Sequence, residues 1–213
     1  MTPVSSLYLI VEPGPTIENC LSTILSSGTI PAILISNAAE DFEASDSIGS
    51  IVNIAHQAGA VALVQGDAKL ALEHNADGIH LQEQENVLAA YHLARDFLGQ
   101  DSVIGASVSE SRHSAMLLGE AGVDYVCFGI PESQHDQKRA KCQRNRLISW
   151  WGELFEVPSV AFDVETPDEA KELARAGADF IECRLKSDSD LDDVVAQIKS
   201  FSTALRLATS EGR

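Results

Sequence analysis

Four variants of one short phrase recur along the chain, and they limit its fold more than any other feature. Ala58-Gly59-Ala60-Val61, Asn75-Ala76-Asp77-Gly78-Ile79, Ala121-Gly122-Val123-Asp124-Tyr125-Val126 and Ala176-Gly177-Ala178-Asp179-Phe180-Ile181 each follow an amphipathic stretch and precede a short apolar run. Gly, or Asn75 in the second phrase, takes the left-handed conformation that stops a helix. Two or three residues then deliver the chain into a strand, a link length typical of α/β folds.

Reading outward from these anchors gives eight strand-like runs: Leu7–Val11, Ala32–Ile35, Ala60–Val64, Gly78–Leu81, Val103–Val108, Tyr125–Gly129, Ser159–Phe162 and Phe180–Cys183. Their spacing of about 25 residues fits one strand, one helix and two loops. Helical stretches fill the gaps. Ile17–Leu25 follows Pro15 and Thr16, read as a proline followed by a cap. Asn86–Phe97 and Leu191–Leu205 carry apolar stripes at helical spacing. Thr166-Pro167-Asp168-Glu169 combines a cap, a first-turn proline and acids at the positive helix end. Leu147–Leu154 reads as the sixth helix, with a basic loop before it.

Apolar strands that alternate with helices imply a parallel sheet covered on its outer side. Eight right-handed units close into one (β/α)8 TIM barrel, expected here as a single domain over residues 1–213. The alternative is an open doubly wound sheet, but no Gly-x-Gly-x-x-Gly turn follows an early strand. The 213 residues include 15 Lys plus Arg against 32 Asp plus Glu, for a formal charge of −17. Such a chain lacks the broad positive surface that nucleic acid or an anionic membrane requires. No run reaches the roughly 18 apolar residues of a membrane span, and no secretory leader opens the sequence. The expected location is cytoplasmic. Cys20, Cys127, Cys142 and Cys183 show no metal-ligand spacing and read as reduced thiols.

In such a barrel the loops after the strands form the active face. Those positions include Glu12, Ser36, Gln65-Gly66-Asp67, Gln82-Glu83-Gln84-Glu85, Ser107-Val108-Ser109, Gly129, Asp163-Val164-Glu165 and Arg184. Lys138-Arg139-Ala140-Lys141-Cys142-Gln143-Arg144-Asn145-Arg146 places five cations in nine residues without an acid. It reads either as an anion-binding or acidic-partner segment, or as a solvated loop. His80 reads as a satisfied core histidine or as a proton shuttle. Glu83, Glu85 and Asp67 read as a solvated acidic face or as ligands for Mg2+. Asp163 and Glu165 read as acid or base groups, Glu165 equally as part of the next helix start. Trp150 and Trp151 read as packing.

Asn75-Ala76-Asp77-Gly78-Ile79-His80-Leu81-Gln82-Glu83-Gln84-Glu85, Ile104-Gly105-Ala106-Ser107-Val108-Ser109 and Ala121-Gly122-Val123-Asp124-Tyr125-Val126-Cys127-Phe128-Gly129 together resemble the thiamine-phosphate synthase and thiazole tautomerase superfamily. Leu7–Val11, Val160-Ala161-Phe162 and Ala176–Asp179 fall in register, so the resemblance spans roughly residues 5–185. It implies a TIM barrel in thiamine biosynthesis. The implied transferase couples hydroxymethylpyrimidine diphosphate to thiazole phosphate and releases pyrophosphate with help from Mg2+. It also implies a small phosphorylated heterocycle as partner, and a homo-oligomer.

Carried over position by position, the resemblance assigns ligand binding to Ser107, Gly129, Lys138 and Arg184, and metal binding to Glu85 and Asp67. Elsewhere the sequence departs from the family pattern. The diphosphate-gripping cations after the second strand are replaced by the apolar run ending at Ser36. The Asn-Asp after the third strand becomes Gln65-Gly66, with Asp67 one residue late. The Thr-Lys phosphate loop becomes the stretch from Glu132 to Gln137. The Gly-Gly turn after the seventh strand reads Asp163-Val164, and Leu185 replaces a phosphate-binding Ser. A carboxylate at a phosphate site is repulsive, and Val lacks the backbone freedom of Gly. The expectation is a diverged member with a degraded transferase site. The alternatives are a non-catalytic ligand-binding or regulatory paralogue, and a different phosphate-using barrel enzyme built on Glu85, Asp163 and Arg184.

Overall fold

All four recurring phrases turn the backbone through the left-handed region: φ is 75° at Gly59, 56° at Asn75, 91° at Gly122 and 104° at Gly177. Each turn is followed by a parallel strand. The computed structural model describes residues 5–36, 45–131, 134–185 and 190–210. Along them run β1 (Ser6–Val11), α1 (Pro15–Ser26), β2 (Ala32–Ile35), α2 (Ser45–Gln57), β3 (Val61–Gln65), α3 (Ala68–Glu73), β4 (Gly78–Leu81) and α4 (Val87–Leu98). They continue as β5 (Val103–Ser107), α5 (Arg112–Ala121), β6 (Tyr125–Phe128), α6 (Gln137–Leu154), β7 (Ser159–Ala161), α7 (Pro167–Arg175), β8 (Phe180–Leu185) and α8 (Leu191–Ser210). The strands form a closed barrel in sequence order, with β8 returning to β1. The open-sheet alternative is excluded.

Period-2 alternation divides each strand between two cores. Leu7, Leu9 and Val11 face outward and pack with helix residues such as Ile17, Leu21 and Ile24. Tyr8 and Ile10 face inward with Leu34, Leu63, Tyr125, Cys127 and Val160. Both sets are apolar, so the strands read as continuous hydrophobic runs rather than as an alternating pattern. The inner space is filled by side chains at uneven cost to their neighbours. Tyr125 lies against β5 at Gly105, where a Cβ would meet the ring at 1.9 Å, so only glycine fits there.

Two element boundaries differ from the sequence reading. Gly14, not Thr16, is the N-cap of α1, and Pro15 opens the helix, the position where its missing N–H costs nothing. The basic stretch 138–146 is not a loop. The Asp136 side chain accepts the Arg139 N–H and starts α6 at Gln137, so all five cations ride on a helix. The expected cap at Thr166 is present, its hydroxyl accepting the Glu169 N–H. Trp151 is fully buried and stacks on Phe155 with centroids 4.0 Å apart, which makes it a packing residue. Cys20, Cys127 and Cys183 are buried thiols and Cys142 is exposed. Among the described residues no helix is long and apolar enough to cross a membrane.

Candidate functional site at the barrel mouth

Residues of β4 to β8, with Tyr8 of β1, form two hydrogen-bonded groups. The first runs down the barrel interior. Ser107 at the end of β5 sits with its Oγ 2.9 Å from His80 Nε2, and His80 Nδ1 lies 3.0 Å from the Tyr125 hydroxyl. Tyr125 and Tyr8 share a hydroxyl contact of 2.7 Å. Burial lowers His80 to about pKa 3, so the ring is neutral, with one nitrogen donating and the other accepting. Burial pushes both tyrosine hydroxyls well above their usual range. A chain of groups this resistant to ionisation holds Ser107 in place but carries no charge near neutral pH. His80 is therefore the satisfied core histidine.

The second group joins β6, β7 and β8. Phe180, Glu182 and Arg184 share the inward face of β8, in register with Tyr8 and Ile10 of β1. Arg184 points inward and donates through Nε to Glu182 at 2.8 Å. Glu182 is 2% exposed. Burial raises its carboxyl above the ordinary range, against the pull of Arg184 and of the Asp163 N–H, both of which favour the charged form. The Asp163 backbone N–H donates to the other Glu182 oxygen.

Asp163 itself has φ 60°, the conformation that favours glycine. Its carboxylate accepts the Ile130 N–H at 2.6 Å and lies over Gly129, where a Cβ would stand 2.8 Å from its oxygen. The backbone donor after β6 that an incoming anion needs is thus taken by the chain's own carboxylate.

Arg144 of α6 fixes this turn from behind. It is 1% exposed, and its guanidinium donates to the carbonyls of Phe162 and Asp163, both at 2.7 Å, and to Glu169 at 2.6 Å. Burial opposes the charge on Glu169, but the Glu165 N–H, Arg144 and Lys141 outweigh it and hold the carboxyl below its ordinary value. Lys141 reaches Glu165 at 2.6 Å and Glu169 at 3.4 Å. Two of the five cations in the basic stretch are therefore spent on α7 and the loop before it. Lys138, Arg139 and Arg146 line the outer face of α6 beside Cys142. Lys138 is exposed and meets neither interior group.

The two residues assigned to metal stand apart. Asp67 caps α3, its Oδ1 accepting the N–H groups of Lys69 and Leu70. Glu85 is exposed, and neighbouring Glu83 accepts the Ser109 hydroxyl at 2.5 Å. Among the described residues no three His, Cys, Asp or Glu side chains gather to hold a metal ion. Ser107 joins the first group, while Gly129 and Arg184 join the second. Glu132, from the replaced phosphate loop, lies outside the described residues.

Sequence reasoning missed Glu182 and Arg144. Glu182 had a readable signal, since a carboxylate two residues before Arg184 on one strand shares its face. Arg144 had none, because burial of one cation in a basic run depends on contacts 18 to 25 residues away.

The family described as thiamine monophosphate synthase matches residues 7–184. A thiamine-phosphate synthase from Erythrobacter litoralis is 40% identical over 124 residues, 57% of each chain. One from Rhodospirillum centenum is 31% identical over 82% of this chain and 85% of its own. Among solved structures, a thiamine phosphate pyrophosphorylase from Pyrococcus furiosus superposes with a TM-score of 0.72 at 20% identity. That superposition covers 95% of this chain and 96% of the other, and supports the barrel fold. On the strength of the match across nearly its whole length, this chain belongs to the thiamine monophosphate synthase family.

Proposed function

We propose that the chain is a diverged thiamine-biosynthesis barrel that binds a small phosphorylated heterocycle at its mouth but has little or no standard synthase activity. One observation carries the loss of synthase activity: the Asp163 carboxylate, just after β7, seated on the Ile130 N–H. A phosphate docking there meets a fixed negative charge and finds the backbone donor already satisfied. Expelling a diphosphate requires donors where charge develops, and Arg184 at this mouth is already bonded to Glu182. Mg2+ belongs to the family reaction, and the described residues gather no cluster of three side-chain ligands for it. Ser107 and Arg184 remain the groups best placed to touch a ligand.

The direct test supplies hydroxymethylpyrimidine diphosphate, thiazole phosphate and Mg2+ and follows thiamine phosphate. No multiple-turnover product is expected, and sustained turnover overturns the proposal. A second measurement tests the cause. Asp163→Gly keeps the left-handed turn, frees the Ile130 N–H and removes the charge. It is expected to tighten thiazole phosphate binding by about tenfold or more, the scale of one charge-assisted hydrogen bond. Calorimetric titration showing equal or weaker binding in Asp163→Gly contradicts the blocking role.

A further inference from the structure

At the opposite end of the barrel, where the strands begin, a cleft of about 620 Å³ lies between α8, the end of α1 and the start of β1. That volume is in the range of small-molecule sites. One face of α8 supplies Lys199, Ser202, Thr203 and Arg206, residues spaced i, i+3, i+4 and i+7 and therefore stacked on one side of the helix. Ser27, Gly28 and Thr29 from the α1–β2 connection line the other wall, and among the described residues no carboxylate lines the cleft. In a chain of net charge −17, a cavity with two cations, several hydroxyls and no acid is a local reversal of the molecule's field.

The Ser202 hydroxyl adds a separate observation. Its Oγ is buried from solvent and has no hydrogen-bond partner among the described residues. Leaving a buried hydroxyl unpaired costs on the order of 1–3 kcal/mol, and native structures seldom do so without a reason. Neither Lys199 nor Arg206 forms an ion pair among the described residues. The Arg206 guanidinium instead donates to the Thr203 hydroxyl at 3.2 Å, which keeps it along the same helix face. Gly28 keeps the opposite wall low, since a Cβ there would stand 3.2 Å from Ser202 Oγ.

From this juxtaposition of two cations and an unpaired hydroxyl around one acid-free cleft, we infer a binding site for a small phosphate-bearing anion. Lys199 and Arg206 supply charge from the two ends, the Ser202 hydroxyl turns out from beside Gly28 to donate to the ligand, and Leu7 and Leu205 form an apolar border for the rest of it. The site is remote from the mouth and does not depend on the reading given there.

Titrating the full chain with inorganic phosphate while following backbone amide resonances tests the inference. Saturable shifts at Gly28, Ser202 and Thr203 are expected. The double substitution Lys199→Gln and Arg206→Gln should weaken them by about tenfold or more, and Arg184→Gln at the mouth should leave them unchanged. Ser202→Ala should weaken phosphate binding while leaving thermal stability without phosphate equal or higher, because it deletes an unsatisfied group. Absence of saturable shifts at these amides, or shifts that survive the double substitution, overturns the inference. Changes confined to Ile130 and Asp163 report on the mouth alone and also overturn it.

Discussion

Replacing Arg144 by Met is expected to lower the unfolding free energy by about 3–5 kcal/mol, the usual cost of removing one partner from a buried ion pair. The side chain is fully enclosed, so its hydrogen bonds cannot be replaced by water. Without it, Glu169 keeps, among the described residues, Lys141 and the Glu165 N–H, and the carbonyls of Phe162 and Asp163 lose the guanidinium donor. Met retains most of the aliphatic volume, so the loss measures the charge and hydrogen bonds rather than a cavity. Urea unfolding of the two proteins gives the number. A loss below about 1 kcal/mol would show that the guanidinium merely fills space. The same variant should loosen the Asp163 turn, because both carbonyls that hold it lie on that loop.

The second large effect is on pH dependence and comes from His80. Its pKa is near 6.5 in an unfolded chain and about 3 in the folded barrel. Above pH 6.5 the ring is neutral in both states and contributes nothing to pH dependence. Between 6.5 and 3 the unfolded chain binds a proton that the folded one refuses, so stability rises with pH and falls on acidification. The slope is about 1.4 kcal/mol per pH unit, which amounts to roughly 2 kcal/mol lost by pH 5. Glu182 acts in the opposite sense. Its raised folded pKa means the folded state takes up a proton first, adding stability as pH falls toward the ordinary carboxylate value.

The difference between wild type and His80→Gln isolates the imidazole, since Glu182 and the −17 charge are common to both. His80→Gln should be less stable at pH 7, having lost the Ser107–His80–Tyr125 link, but should close on the wild type by about 2 kcal/mol at pH 5. Parallel stability curves from urea titrations at several pH values would refute the buried neutral assignment.

Much of the scaffold was legible because it obeys short-range rules. Asn75 in place of Gly still announced a left-handed stop, and its φ of 56° is that stop. Thr166-Pro167 announced the start of α7 for the same local reason. The start of α6 was hidden, because Asp136 caps a segment so charged that its polarity reads as a loop. The mouth was legible as a set of positions, not as an arrangement. Asp163 stood out as a carboxylate at a glycine position, but its bond to Ile130 joins residues 33 apart. Asp67 kept the charge a metal ligand needs, yet the helix that starts one residue later claims one of its oxygens.

The sequence by itself determined that eight strand–helix units alternate, where most of them stop and start, and which family scaffold they build. Those features depend on backbone conformations and caps that a few neighbouring residues decide. Only the tertiary structure decided that Arg184 turns inward onto Glu182, that Arg144 is buried behind the Asp163 turn and that Ser202 faces a cleft without a partner. In a barrel both strand faces are covered, so hydrophobicity does not distinguish inside from outside. The polar contacts that do are made between elements far apart in the chain.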